Sequence, residues 1–430
     1  MSIDPKLLRR IRREFPAVEK DPSGRTRSFL DNGAGTLVTR RSAEAETEAR
    51  IDWSANVGNV FPESVGAGDT ILEGRRAVAD LLRAEGPETI ISGESCTSLL
   101  FSLSYALSRN LKGDSNVVLT GYEHYANINP WAELGGAGLI SQLRIASFDL
   151  DTGLLDLEDM KKQIDKNTKV VSVTAASNVL GTRSDLKEIG KMAKEVGALL
   201  VVDAVHHVAH GPTDVRKIGC DAFVFSGYKL FSRHGSFMYL TPELVEKLHP
   251  YKVDPSPKHG PEKWEWGTRD QAMFAAIRGA VDYLVWLANP NSKTPPKAGP
   301  QRSAKIREAM EKIEDYEREI TRIVLDGYGK ILGLRHIPGL TIFGSKDSAS
   351  KLGRDPTFSF KLAGYDDHDL SKLLWDKYAI AVGAEDFYSR VPALYNTKTM
   401  CRATFVHYNT RDEAFVLLNA LWQIAEKRKK

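Results

Sequence analysis

The stretch Phe225-Ser226-Gly227-Tyr228-Lys229-Leu230 decides how this chain is read, because its lysine follows an apolar run that begins at Ala222. An acid 26 positions upstream closes a similar run, Leu199-Leu200-Val201-Val202-Asp203. Short apolar runs bounded by polar residues are the pattern of strands buried on both faces. Both runs therefore deliver an ionisable group where an open α/β sheet binds its ligands, beyond the carboxyl ends of the strands.

Outward from this pair, residues 68 to 290 alternate helix-like and strand-like segments. Apolar side chains recur at helical spacing over 71–84, and Thr89-Ile90-Ile91-Ser92 is a short strand before Gly93. Further strands are expected at Val117-Val118-Leu119-Thr120, at Leu139-Ile140 with the segment after it, and at Val170-Val171-Ser172-Val173-Thr174. A helix over 185–196 leads into the run that ends at Asp203. Strands at 222–225 and 236–240 bracket Lys229, which sets the lysine in a connection at the sheet edge. This order predicts an α/β domain whose sheet is covered on both faces.

After a helix over 271–284, the turn-forming run from Asn289 to Pro300 marks a domain boundary. Beyond it come a long charged helix over 304–327, strands near 339–343 and 357–360, and helices near 368–377 and 411–426. These predict a smaller α+β domain. The expected division is 1–25, a helical segment packing with the small domain; 26–295, the large domain; and 296–430, the small one. The basic run Arg9-Arg10-Ile11-Arg12-Arg13 reads as the wet face of an N-terminal helix.

The chain has 430 residues, 42% of them hydrophobic, enough for two substantial cores. It contains no 18-residue apolar run to cross a bilayer. Met1-Ser2-Ile3-Asp4-Pro5-Lys6 has no apolar core behind its charge, which argues against a secretory signal. A formal charge of +3 from 59 basic and 56 acidic side chains, with no basic tract interleaved with aromatics, gives no nucleic-acid groove. Three widely spaced cysteines make neither a disulfide framework nor a structural zinc site. Neither a membrane nor a nucleic acid is an expected partner, and the expected location is cytoplasmic.

A lysine at such a position reads either as an ordinary salt-bridging residue or as the amine that holds a carbonyl as an imine. The second use requires a neutral amine, favoured by restricted solvent or a neighbouring cation. Asp203 either caps the helix after it or keeps a pyridine nitrogen protonated, so that the ring takes up the electrons of a carbanion. Together the two suggest pyridoxal phosphate. Gly93-Glu94-Ser95-Cys96-Thr97, between a strand and a helix over 98–107, is a helix cap or a phosphate cradle built from backbone amides and the Ser95 and Thr97 hydroxyls. It lacks the glycine spacing of the nucleotide-binding fingerprints. His206, His207 and His210 have no carboxylate or cysteine at a metal-ligand spacing, so no metal is expected, and His206 is given a hydrogen-bonding role beside Asp203.

Seven ordered blocks together resemble the class V aminotransferase and cysteine desulfurase family of fold-type I pyridoxal-phosphate enzymes. They are Phe29-Leu30-Asp31-Asn32-Gly33-Ala34-Gly35, Glu123-His124-Tyr125-Ala126-Asn127-Ile128-Asn129-Pro130-Trp131, Ser177-Asn178-Val179-Leu180-Gly181, Val202-Asp203-Ala204-Val205-His206, Ser226-Gly227-Tyr228-Lys229, Trp266-Gly267-Thr268-Arg269 and Cys401-Arg402-Ala403-Thr404. The resemblance implies a large, mostly parallel-sheet α/β domain with a smaller C-terminal α+β domain. It also implies that Lys229 forms the Schiff base, Asp203 pairs with the ring nitrogen, and His124 stacks on the ring and assists proton transfer. Asn178 and His206 would stand near the cofactor hydroxyl, although many relatives carry glutamine at the latter. Ser95, the Cys96 backbone, Ser226 and Tyr228 would hold the phosphate, relatives often having histidine in place of Tyr228. Thr268 resembles the residue that reaches the phosphate from the opposite subunit, which implies a homodimer. Arg402 would grip the substrate α-carboxylate, with Asn178, Ala34 and Tyr388 completing the substrate side.

One departure bears on the reaction. Desulfurases of the closest subgroup carry a nucleophilic cysteine in a mobile loop upstream of the arginine, but Val382-Gly383-Ala384-Glu385-Asp386-Phe387-Tyr388-Ser389-Arg390 has none, and Tyr388 lies near the expected position. Cys96, Cys220 and Cys401 are poorly placed to accept sulfur. The expected activity is removal of the α-proton from a small amino acid, followed by β-elimination from a cysteine conjugate, a cysteine sulfoxide or a related compound: a C–S lyase. Glu385, Asp386, Tyr388 and Arg390 are candidates for the distal substituent. Aminotransferase, epimerase and atypical cysteine desulfurase activities are the alternatives, and a noncatalytic scaffold is the reading from another class.

Overall fold

Seven of the apolar runs pair into one sheet in a computed structural model that describes residues 3–292, 295–350 and 352–427. Met1 and Ser2 of the N-terminal segment, and residues 293 and 294 of the turn-forming run, lie outside the described residues. The strands are β1 (Ile90–Gly93), β2 (Asn116–Thr120), β3 (Gln142–Ala146), β4 (Thr168–Thr174), β5 (Leu199–Asp203), β6 (Ala222–Ser226) and β7 (Ser236–Leu240). Their spatial order is β1-β7-β6-β5-β4-β2-β3. Of these seven strands β7 alone runs opposite to the others, antiparallel to both β1 and β6.

The side-chain period of two explains why these strands read as continuous apolar runs. Val118, Val171, Val173, Leu200, Val202, Phe223 and Phe225 belong to one core, while Val117, Leu119, Val170, Val201, Ala222 and Val224 belong to another. Alternate residues of each strand thus face two different apolar layers, and both faces are covered as expected.

The expected strand at Leu139-Ile140 begins instead at Gln142. Leu139 N–H still donates to the Leu134 carbonyl, at 2.9 Å, so these residues complete the end of the helix Asn129–Gly136. Lys229 lies in the expected connection between β6 and β7, at the strand-end rim and inside the strand order.

Past the helix Gln271–Ala288, the long helix Pro300–Asp326 leads to a second sheet. It contains β8 (Leu340–Phe343), β9 (Thr357–Leu362), β10 (Gly383–Glu385) and β11 (Met400–Thr404), in the order β8-β9-β11-β10 and antiparallel throughout. The helices Asp367–Tyr378 and Arg411–Lys427 accompany it. The N-terminal helix Pro5–Glu14 is not simply wet on its basic side: Arg12 donates to the Tyr408 carbonyl at 2.8 Å and pairs with Glu413. Among the described residues no helix is long and apolar enough to cross a membrane.

Candidate active site

The strands β1, β2, β4, β5 and β6 run in one direction, so the residues that follow them collect along one rim of the sheet. Ser95 and Cys96 follow β1, His124 follows β2, Asn178 follows β4, His206 follows β5 and Lys229 follows β6. Residues far apart in sequence are brought together by topology alone.

Lys229 ends the short turn Gly227–Lys229 and is buried. Burial, then the nearby positive charge of Arg402, pushes its amine down to about 8, against the pull of Asp203. Among the described residues its Nζ has neither a hydrogen bond nor an ion pair, and it lies 5.8 Å from the centre of the Tyr228 ring.

Asp203 is also buried, and burial raises its pKa. One carboxylate oxygen accepts the Val205 N–H at 3.0 Å; among the described residues the other accepts none. His206 takes the hydrogen-bonding role expected of it, with a partner on the second sheet rather than Asp203. Its Nε2 lies 2.9 Å from the Thr357 hydroxyl on β9, and burial pushes its pKa well below the usual range, so the ring is neutral.

Behind His206, His207 meets Asp355 at 3.1 Å, Arg183 donates to Asp355 at 2.9 Å, and His210 meets Glu317 at 2.8 Å. Donor atoms of His206, His210 and Asp355 lie within 4.8 Å of one another. The fold thus supplies a carboxylate that sequence spacing did not. Asp355 is already held by Arg183 and His207, and the Arg183 guanidinium neutralises its charge, a poor setting for a metal cation.

His124 Nδ1 accepts the Ala126 N–H at 2.9 Å, which leaves the ring proton on Nε2. Burial and the charges of Lys229 and Arg402 lower its pKa to about 4, so the imidazole is neutral. Beneath it lies a residue to which sequence reasoning assigned no role. Glu123 is fully buried, accepts from Thr120 Oγ1, from Asn127 Nδ2 at 2.8 Å and from Thr174 N–H at 2.9 Å, and is pushed up to about 7 by burial. Its only sequence signal was its place in the 123–131 block.

Arg402, on β11, is 2% exposed. Its Nη1 donates to the Asn178 carbonyl at 3.0 Å, its Nη2 faces Asp31 at 3.5 Å, and its guanidinium lies 3.9 Å from the centre of the Phe387 ring. Gly33 permits this approach, since a Cβ there would stand 2.9 Å from Arg402 Cζ. Among the described residues, Arg402 Nε is buried without a partner. Ala34, next to Gly33, is exposed, while the Asn178 amide donates to the Phe387 carbonyl at 3.0 Å.

On the side expected to hold a phosphate, Ser95 caps the helix Cys96–Ser108 in a reciprocal arrangement with Ser98. This cap starts the helix earlier than apolar spacing indicated. Ser95 and Thr97 are exposed. The Ser226 hydroxyl is turned inward, 3.2 Å from Cys96 Sγ and 2.7 Å from Ser236 Oγ. Tyr228 stacks on His234 with ring centres 4.7 Å apart, and burial raises its hydroxyl to about 12. Thr268 is exposed in a cavity of about 220 Å³ shared with Gly93, Ser98 and His234.

All three thiols are buried, and burial raises each of them, Cys96 to about 12. The Cys401 thiol faces the Asp367 carbonyl, away from its neighbour Arg402. Tyr388, 66% exposed, stacks on His124.

Residues 28–318 match the model of the aminotransferase class-V family. Along 97% of its length the chain is 29% identical to a cysteine desulfurase of Cronobacter sakazakii and 27% identical to one of Serratia proteamaculans, covering 98% of each. Among solved structures, the apo cysteine desulfurase of Thermococcus onnurineus superposes with a TM-score of 0.83 at 24% identity, over 99% of this chain and 100% of that one. The Escherichia coli cysteine desulfurase CsdA superposes with a TM-score of 0.80 at 22% identity, over 98% of each chain. At these identities the structural likeness establishes the fold.

Proposed function

Because the chain belongs to the aminotransferase class-V family, and is thus a pyridoxal-phosphate-dependent enzyme of amino acids, we propose that it cleaves a β-carbon–sulfur bond of a cysteine-type amino acid by elimination. The observation that carries this reading is the setting of the sulfur chemistry. Tyr388 stands near the expected carrier position, and all three thiols are buried, with pKa values that keep them protonated near neutral pH. Elimination requires no protein thiol.

The residues fit the cofactor. Among the described residues, Lys229 is a buried, uncommitted amine and Asp203 has an oxygen free for a ring N–H, while neutral His124 presents a ring face. Ser95 and the helix start at Cys96 suit a phosphate. Pyridoxal phosphate, when bound, supplies a carbonyl for the amine and a ring that takes up the electron pair released at the α-carbon. The chain's own groups do the rest. Arg402 orients the substrate through its carboxylate, with Phe387 and the Asn178 carbonyl fixing the guanidinium plane. Lys229, neutral above a pH of about 8, takes the α-proton and returns a proton to the departing sulfur. The unsaturated amine left behind hydrolyses to an oxo acid and ammonia.

A second reading, atypical cysteine desulfuration, is favoured by the names of the relatives. Here the sulfur would pass to a thiol outside the chain and leave alanine. Product analysis with L-cysteine and S-substituted cysteines separates the two. Oxo acid, ammonia and thiol in equal amounts support elimination; alanine, formed only when an external thiol is present, replaces it with desulfuration. The exposed positions of Thr268 and Trp266 support a homodimer in which Thr268 reaches the neighbouring site. A monomeric mass by sedimentation would overturn that part.

A further inference from the structure

Two adjacent residues in the loop after β10 depart together from ordinary backbone geometry. Phe387 and Tyr388 both lie in the left-handed region, with φ of 56° and 51°, a conformation that side-chain-bearing residues seldom adopt singly and rarely in succession. Such a conformation persists when its surroundings over-determine it, and here they do. The Phe387 carbonyl accepts from the Asn178 amide at 3.0 Å, and the Tyr388 carbonyl accepts from Tyr125 N–H at 2.8 Å. Ser389 Oγ donates to the Glu123 carbonyl at 3.1 Å, and His124 and Ser389 form an antiparallel bridge. Within the loop, Tyr388 N–H donates to Asp386 Oδ1 at 2.9 Å.

The double left-handed turn sends the two rings to different sites. Phe387 is 2% exposed and lies against the Arg402 guanidinium, 3.9 Å from ring centre to Cζ. Tyr388 is at the surface, yet its ring stacks on His124 with centres 5.8 Å apart and planes 21° apart. We propose that this loop is a fixed strap in which Phe387 positions Arg402 and Tyr388 positions His124, so that one short segment sets both the substrate side and the cofactor side of the site. The proposal rests on the pyridoxal-phosphate reading given above.

The physical reason is geometric. A guanidinium flanked by a ring on one face, Gly33 alongside and the Asn178 carbonyl at Nη1 has little freedom to tilt, so its remaining edge meets a carboxylate in one orientation. His124 is pinned at one edge by Ala126 N–H and on one face by Tyr388, leaving the opposite face for a planar partner. Tyr388 is therefore assigned to His124 rather than to the distal part of the substrate.

The two halves of the strap separate experimentally. In the loaded enzyme, Phe387→Ala is expected to raise KM for amino acids by about tenfold while leaving the cofactor absorption band in place. Tyr388→Ala is expected to shift that band and lower kcat with little change in KM, and Tyr388→Phe to restore the band because it keeps the ring. The strap is overturned if the two alanine variants change the same parameter alike, if neither changes anything, or if Tyr388→Phe behaves like Tyr388→Ala. Limited proteolysis gives a readout that does not depend on the cofactor: residues 385–390 resist cleavage in the unaltered protein and become sensitive in both alanine variants. Rapid cleavage there in the unaltered protein contradicts the strap even if the cofactor reading stands. Identical spectra for the unaltered protein and Lys229→Ala would contradict the cofactor reading and leave the proteolysis result to decide the strap.

Discussion

Asp31 Oδ1 and Arg402 Nη2 stand 3.5 Å apart, so the arginine proposed to bind a substrate carboxylate already faces a carboxylate of its own chain. Burial raises the Asp31 pKa and Arg402 opposes the rise. An incoming carboxylate must compete with Asp31 for the same edge. Asp31→Asn keeps the shape and removes the charge, and should tighten binding of an amino acid by about fivefold, the scale of a partly exposed ion pair. Titration calorimetry with a non-reacting amino acid checks this; weaker binding would mean that Asp31 holds the arginine in place rather than competing with it.

Lys229 sets a pH dependence. Its amine is lowered to about 8, so below that pH the neutral fraction grows by about tenfold per unit and then levels off. The initial rate of absorbance change on adding pyridoxal phosphate to stripped protein should follow that curve. A rate that keeps climbing toward a midpoint near 10 would show an unperturbed lysine.

Glu123 predicts a stability effect. Its folded pKa of about 7 lies above the ordinary carboxyl value of about 4.3, so the stability it contributes is fully present below the ordinary value and is lost as pH rises through 7. The loss is about 4 kcal/mol. Glu123→Gln should flatten the denaturation midpoint between pH 5 and 8, whereas the unaltered protein declines over that window. Equal slopes in the two proteins would show that Glu123 is ionised throughout.

Cys220 and Cys401 are buried away from the rim, facing the Val215 and Asp367 carbonyls respectively. The double variant Cys220→Ala, Cys401→Ala should keep its turnover of cysteine-type substrates within about twofold and lose some stability from two small cavities. A collapse of turnover without unfolding would place sulfur on one of them.

What could be read from sequence follows from the range of each interaction. Lys229 and Asp203 were legible because each follows an apolar strand and the fold carries strand ends to one rim. His124 and Arg402 became legible through ordered family blocks, since nothing in their immediate surroundings marks a site. The contacts of Asp31, Glu123, Asp355 and Phe387 were not legible. Asp31 meets Arg402 and Asp355 meets His207 across most of the chain or between sheets, and no local period encodes such a meeting. The inward turn of Ser226 likewise depends on Ser236 lying opposite it across β6 and β7.

The most direct measurement is borohydride reduction of the protein loaded with pyridoxal phosphate, followed by peptide mapping. The account predicts a single reduced pyridoxyl label, on the peptide containing Lys229, and none in Lys229→Ala. A label on another lysine, or no label while the cofactor remains bound, would contradict it.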